Sequence, residues 1–343
     1  MTKRMNKSNT LIEDNDGTHR APVGRRRTVR AIQITLGFMW LLDGLMQLQP
    51  RMFGMDFTNG VILPAAHGQP AFVAGAITHV AHLISLQPAL IDLAFAIVQI
   101  LIGVGLLVRR TVRPALVVSF GWAFGVWAFG EGFGMLFTGT ASPLTGAPGA
   151  ALLYAAIGLL VWPRREGLET ARSAAATAAE GSPGASGGTA LWAVVWCGMG
   201  ILWLLPANRS GGSASAAIRG AVTGEPSWLA GVQLGVAHAL GGAGASLAVL
   251  CGIVSFTIGL GPLVFRRSTS FLAAGAIVAL AYWVFGEAFG QIFSGLATDP
   301  NSGPLLVLLA LAVYAIGAPE ESRAAGPAPS GNTVSARPIA ASL

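Results

Sequence analysis

The chain has 343 residues, of which 53% are hydrophobic and only 10% charged, with a mean hydropathy of +0.63. A water-soluble surface needs about a quarter charged residues, so the composition excludes an ordinary soluble globular protein and indicates an integral membrane protein. The formal net charge of +6 is not a nucleic-acid signal, because the basic residues sit in short blocks between apolar runs.

Residues 1–30 are polar and basic and end in Arg25, Arg26, Arg27 and Arg30. They read as a disordered basic cytoplasmic tail, and the apolar run behind them as an uncleaved span rather than a signal peptide. A span needs about 20 apolar residues. Eight runs reach or approach that length: Ala31–Leu48, Ala89–Val108, Pro114–Phe137, Pro148–Trp162, Ala190–Pro206, Ala243–Phe265, Ser270–Phe293 and Pro304–Gly317. Ala71–Leu86, between the first two, has a helix-like composition and is expected to cap the outer face. The Ala/Ser/Gly-rich stretch 163–189 reads as a cytoplasmic linker and 318–343 as a disordered cytoplasmic tail.

Charge sets the orientation. With the N-terminus in the cytoplasm, 18 of the 21 Lys and Arg residues fall inside, and only Arg51, Arg209 and Arg219 fall outside. The asymmetry favours eight spans with both termini cytoplasmic.

The halves 31–162 and 190–317 read as one four-span unit used twice. An offset of 156 residues aligns them without a gap from Trp40 to Pro148, and eight of the 13 positions in Trp127–Gly139 are identical to their partners. Four spans is an even number, so the copies share one orientation. The expected fold is therefore all-α, eight transmembrane helices in two tandem parallel four-helix repeats.

Each copy places a glutamate inside an apolar run: Glu131 in "VWAFGEGFGMLFTG" and Glu287 in "YWVFGEAFGQIFSG". An acid at that depth costs on the order of 3 kcal/mol and faces a partner inside the bundle. Each is bracketed by glycines in a GxxxG spacing, which lets a neighbouring helix approach. Two roles remain open: a lock between helix and loop, or a proton or cation site. His82 and His238 recur at the same offset on the outer side, so a His–Glu pair in each half is the simplest partnership.

The first half alone adds Asp43, Asp92, Gln99, His67 and His79, opposite Met199, Ala248, Ser255, Thr223 and Gly235. His79 and His82 share a helical face. With Asp43, Asp92 and Glu131 they could form a carboxylate/imidazole cluster suited to zinc, iron or copper. Asp92 could instead cap the helix that starts near Pro88. Cys197 and Cys251 lie in apolar runs outside any CxxC spacing and read as buried free thiols. No P-loop, HExxH or nucleophile motif is present, which excludes a conventional soluble enzyme.

The stretch "RAIQITLGFMWLLDGLMQLQP" (Arg30–Pro50), a basic residue leading into a span with a glycine near its outer end, resembles the DoxX-like group of small four-span membrane proteins. The resemblance implies a redox-linked role at the bacterial plasma membrane, beside quinone and other membrane proteins. From the residues themselves, the leading expectation is a polar site in the outer half of the bundle that handles protons, a divalent metal ion or a small polar solute. A non-catalytic scaffold is the bland alternative.

Overall fold

The computed structural model describes residues 23–163, 183–265 and 268–317, and these are helical with no strand. The segments 1–22, 164–182 and 318–343 of the expected tails and linker lie outside the described residues. Among the described residues the longer helices are α1 Val23–Gln47, α2 Ala71–Leu86, α3 Pro88–Leu107, α4 Val112–Gly125, α5 Ala150–Leu160, α6 Pro183–Trp203, α7 Ser213–Ala221, α8 Ser227–Leu240, α9 Gly244–Val264, α10 Ser270–Phe285 and α11 Ser302–Gly317. Both long helices that begin the halves start earlier than expected. Residues 23–30 and 183–189 are helical where the sequence reads as tail and linker.

The surface is turned inside out relative to a soluble protein. Leu101, Val194 and Ile277 are 64%, 69% and 68% exposed, whereas Asp43, Asp92, Ser119 and Gln233 are buried. Apolar side chains outside and hydrogen-bonding groups inside suit a bilayer, where every polar group needs an internal partner. Among the described residues four helices are long and apolar enough to cross a membrane: 27–47, 88–107, 112–130 and 244–264. The chain is a membrane-embedded protein. The other apolar helices are shorter, and α11, the most enclosed of them, packs against α10, α6, α5 and α1.

Within each half the first helix packs against the long helix that follows the connecting loop, α1 on α3 and α6 on α9. A Cβ on Gly103 would stand 2.8 Å from the Gly37 carbonyl oxygen and 2.7 Å from the Leu41 side chain, so glycine sets how closely α1 and α3 approach. In the second half a Cβ on Gly259 would stand 3.0 Å from Cys197 Sγ and 3.1 Å from the Trp196 side chain.

Basic and amide side chains close the helix ends at the Arg-rich side. Arg30 donates to the carbonyls of Leu106 (2.9 Å) and Leu107 at the end of α3, and Gln33 Nε2 donates to the Val161 carbonyl (2.8 Å) at the end of α5. These carbonyls have no intrahelical partner and carry the negative end of the helix dipole, which a guanidinium complements.

The expected third and seventh spans do not continue through their glutamates. After a π-helical turn over Val126–Gly130, the chain enters the left-handed region at four successive residues, Gly132, Phe133, Gly134 and Met135. The second half does the same at Ala288, Phe289, Gly290 and Gln291. Each non-glycine residue so placed costs about 1–2 kcal/mol, so the turn must be held from outside. Gln69 Nε2 donates to the Gly132 carbonyl at 2.7 Å, and Gly134 packs on the Pro148 backbone too tightly for a Cβ. Phe133 stands edge-on to Trp127 at 5.1 Å, as Phe289 does to Trp283 at 4.7 Å.

Candidate functional site

The left-handed turn leaves each glutamate at the foot of the next helix. Glu131 Oε1 accepts the Ala151 N–H at 2.9 Å, in the first turn of α5. Glu287 Oε2 accepts the Gly303 N–H at 3.0 Å in the first turn of α11, and its Oε1 accepts the Ser302 hydroxyl. Helix N-termini expose unpaired N–H groups and a positive dipole end, so a carboxylate is the matching partner. The tryptophan before each glutamate closes the same corner: Trp127 Nε1 donates to the Pro148 carbonyl and Trp283 Nε1 to the Pro300 carbonyl, both at 2.8 Å. These partners are 21 residues apart in the first half and 17 in the second. By contact Pro148 therefore matches Pro300, not Pro304, and the loop is four residues shorter in the second half.

The expected His–Glu pairs are not what the glutamates make. His82 and His238 are exposed on α2 and α8, and the hydrogen-bond partners of both carboxylates are helix N-termini and a serine. His79 and His67 are exposed as well. Among the described residues no three His, Cys, Asp or Glu side chains converge closely enough to hold a metal ion. The zinc, iron or copper cluster of His79, His82, Asp43, Asp92 and Glu131 is thus not assembled. The GxxxG reading also changes. A Cβ on Gly286 would stand 1.9 Å from the Leu144 carbonyl oxygen of the first-half loop, whereas Gly130 meets only Val126. Gly134, Gly286 and Gly290 admit loop backbone, not a helix, and Gly130 admits neither.

Asp92 does not cap α3. Its Oδ1 accepts Gln47 Nε2 from α1 at 2.6 Å, and both Asp92 Oδ2 and Gln47 Oε1 are sealed without a partner. One proton on Asp92 would satisfy both oxygens. Gln99 Oε1, on the same helix, is another sealed acceptor.

The group that does assemble joins Asp43, Glu131, Tyr154 and Asp299. Asp43 is 1% exposed and Tyr154 2%. The Tyr154 hydroxyl faces Asp43, and Trp40 packs on its ring at 4.4 Å. The Tyr154 and Asp43 side chains interact although their geometry falls short of a well-formed hydrogen bond, and Asp43 Oδ1, Tyr154 Oη and Glu131 Oε2 are all sealed from solvent. Asp299, from the loop before α11, lies within electrostatic reach of Asp43, Glu131 and Tyr154, and of Glu287. Its own oxygens accept Asn301 N at 2.7 Å and Thr298 Oγ1 at 2.8 Å. Although the residue borders the surface, burial of the carboxyl pushes it above the usual range, against those two donations. Among the described residues no basic side chain is among the charges that act on these acids.

Sequence reading missed Tyr154 and Asp299. Both are unmatched polar residues, the signal that singled out Asp43. The ungapped offset concealed Asp299, because it pairs that residue with Pro143, whereas contact pairs it with Ala147. At the contact-matched position in the second half, Tyr154 becomes Leu306 and Asp43 becomes Met199, so the second location is apolar. In comparisons with protein-family models, with curated proteins and with solved structures, nothing matches this chain.

Proposed function

We propose that this chain crosses the membrane eight times, as two tandem four-span units with both termini in the cytoplasm, and that it takes up and releases protons at one buried acid site. The observation that supports the reading is the set of sealed oxygens on Asp43, Glu131 and the Tyr154 hydroxyl that faces Asp43, with the Asp299 charge acting on them and, among the described residues, no basic side chain to balance them. An ionised carboxylate without a partner costs several kcal/mol in an apolar interior. A proton shared in the group removes that cost and needs no cavity. The matched corners at Glu131 and Glu287 and the basic closure at Arg30 support the tandem arrangement and the orientation.

Glu287 has a second, structural reading. Both of its oxygens are bonded to the start of α11, so it locks that helix to the turn. The DoxX-like alternative, a redox-associated subunit beside quinone, predicts a membrane partner that co-purifies in mild detergent.

Infrared spectroscopy of the purified protein tests the proton site. A carbonyl band of a protonated, dry carboxyl is expected at neutral pH. It should shift in heavy water, fall in Asp43→Asn or Glu131→Gln, and survive in Glu287→Gln. A spectrum without that band, or one in which only Glu287→Gln removes it, would contradict the reading.

A further inference from the structure

We propose that a cleft between the two halves binds a small uncharged polyol, a sugar or a sugar-like molecule rich in hydroxyls. The cleft shares no residue with the proton site. It has a volume of about 240 Å³ and lies between the loop that leads into α5 and the segment that joins α6 to α7. That is the volume of about eight molecules of liquid water, room for a solute between glycerol and a hexose in size. Because α5 ends at the Gln33 closure, its start and the cleft beside it lie at the opposite end of the bundle. Hydroxyl and amide groups line the space: Thr140, Ser142 and Thr145 from the first half, Asn208 and Ser213 from the second. Among the described residues none that lines it is ionisable, so a charged guest would lose its hydration without gaining a counter-charge. Thr140 and Thr145 are exposed at the mouth, and Trp203 and Asn208 are buried at the floor. Asn208 Nδ2 donates to the Ala141 and Leu202 carbonyls, both at 2.8 Å. This fixes the amide and leaves its Oδ1 unsealed, with no donor among the described residues. Ser142 Oγ is likewise unsealed and uncommitted. The Trp203 N–H is taken by the Tyr282 hydroxyl at 3.0 Å, so its contribution to the cleft is the ring, an apolar surface suited to the C–H face of a sugar.

The first half closes the corresponding place. The positions 156 residues before Ala207, Asn208 and Ser213 are Arg51, Met52 and Phe57. A like strap marks both places: Gln49 Nε2 donates to the Ala297 carbonyl at 3.2 Å as Asn208 Nδ2 does to that of Ala141, and Ala141 lies 156 residues before Ala297. In the first half Met52 and Phe57 are buried in a core cluster, and Arg51 crosses to the Ser294 carbonyl at 2.8 Å. In the second half a methyl, an amide and a hydroxymethyl group stand in place of the guanidinium, the thioether and the phenyl ring. A gap left by smaller apolar side chains would only cost stability. Here two of the three replacements carry hydrogen-bonding atoms, the pattern of a small-molecule site, in which an apolar wall is set with a few polar groups that fix orientation.

The test titrates glycerol, myo-inositol and glucose into the full-length protein in a detergent without a sugar headgroup, read by saturation-transfer NMR. Saturable binding of at least one probe is expected. Ser142→Ala removes a hydroxyl that the fold does not use and should weaken that binding about two- to tenfold, the worth of one hydrogen bond. Ser213→Phe, which reproduces the Phe57 arrangement, should abolish it. Should Ser213→Phe fail to fold, Ala217→Val, which imitates Val61, narrows the cleft more gently and should weaken binding at least as much as Ser142→Ala. The same hydroxyl chemistry occurs in lipid headgroups: binding from solution assigns a free solute, and binding only of a glucolipid added to the micelles assigns a headgroup. Absence of saturable binding by every probe and by the glucolipid would overturn the site. So would binding that is unchanged in Ser142→Ala and in the folded cleft-filling variant.

Discussion

Truncating the two glutamates should have unequal consequences, and the inequality can be worked from their contacts. Glu287→Ala removes a bond to the Gly303 N–H at 3.0 Å and another to the Ser302 hydroxyl, at a residue only 3% exposed. It leaves a buried helix N-terminus without an acceptor. A hydrogen bond to a charged group contributes about 1.5–3 kcal/mol, and an orphaned buried donor costs about 1–3 kcal/mol. These overlap, so the expected loss is about 3 kcal/mol. Glu131→Ala removes one described bond, to the Ala151 N–H at 2.9 Å, but also removes the sealed, unpartnered Oε2. The relief offsets the loss, and the net cost should be about 1 kcal/mol. Glu287→Gln keeps an oxygen for Gly303 N–H while its amide can donate to the Ser302 hydroxyl, so it should also cost about 1 kcal/mol. Reversible denaturation in detergent micelles, followed by fluorescence of the neighbouring Trp283 and Trp127, gives the comparison. Equal losses for Glu287→Ala and Glu131→Ala, or no loss for Glu287→Ala, would refute the helix-lock argument.

Three further outcomes follow from the same geometry. Gly286→Ala, whose new Cβ would stand 1.9 Å from the Leu144 carbonyl oxygen, should cost about 1–3 kcal/mol by overpacking, whereas Gly130→Ala meets only Val126 at 3.6 Å and should be tolerated; thermal denaturation of both tests it. Arg30→Ala uncovers the last carbonyls of α3 and should cost about 1 kcal/mol in the same assay. Glu225 has both carboxyl oxygens sealed without a partner, and burial pushes its carboxyl up. Its folded form therefore binds a proton more tightly than its unfolded form. Stability from this group is present below the unfolded carboxyl pKa of about 4.3 and declines as pH rises through the folded value. Glu225→Gln, which imitates its offset partner Gln69, should flatten that decline in a pH series of melting temperatures.

Much of the fold was legible because a bilayer makes hydropathy a length measurement. Ala71–Leu86 forms a helix with the expected bounds, and the run Ala89–Val108 appears as Pro88–Leu107. The errors lie where composition says nothing about handedness. "GEGFGMLF" is apolar enough to read as the end of a span, but its chain turns left-handed after Glu131. Gly132 and Gly134 hinted at that conformation; Ala288 at the first of those positions in the second copy diluted the hint. The acids were found, but their partners were not. Histidine is the expected companion of a buried glutamate when side chains alone are compared, whereas the actual donors, the N–H groups of Ala151 and Gly303, have no side-chain signature. Asp299 escaped because four residues missing from one loop moved it out of the ungapped register.

Counting protons tests the central claim most directly. Purified wild-type protein and the Asp43→Asn/Glu131→Gln double variant, both in unbuffered detergent solution with an indicator dye, would be titrated from neutral to alkaline pH. The account predicts that wild-type protein releases at least one more proton per chain than the double variant, with Glu287→Gln matching wild type. Equal release from wild type and the double variant would contradict it, and would leave the acids of this membrane protein as helix locks alone.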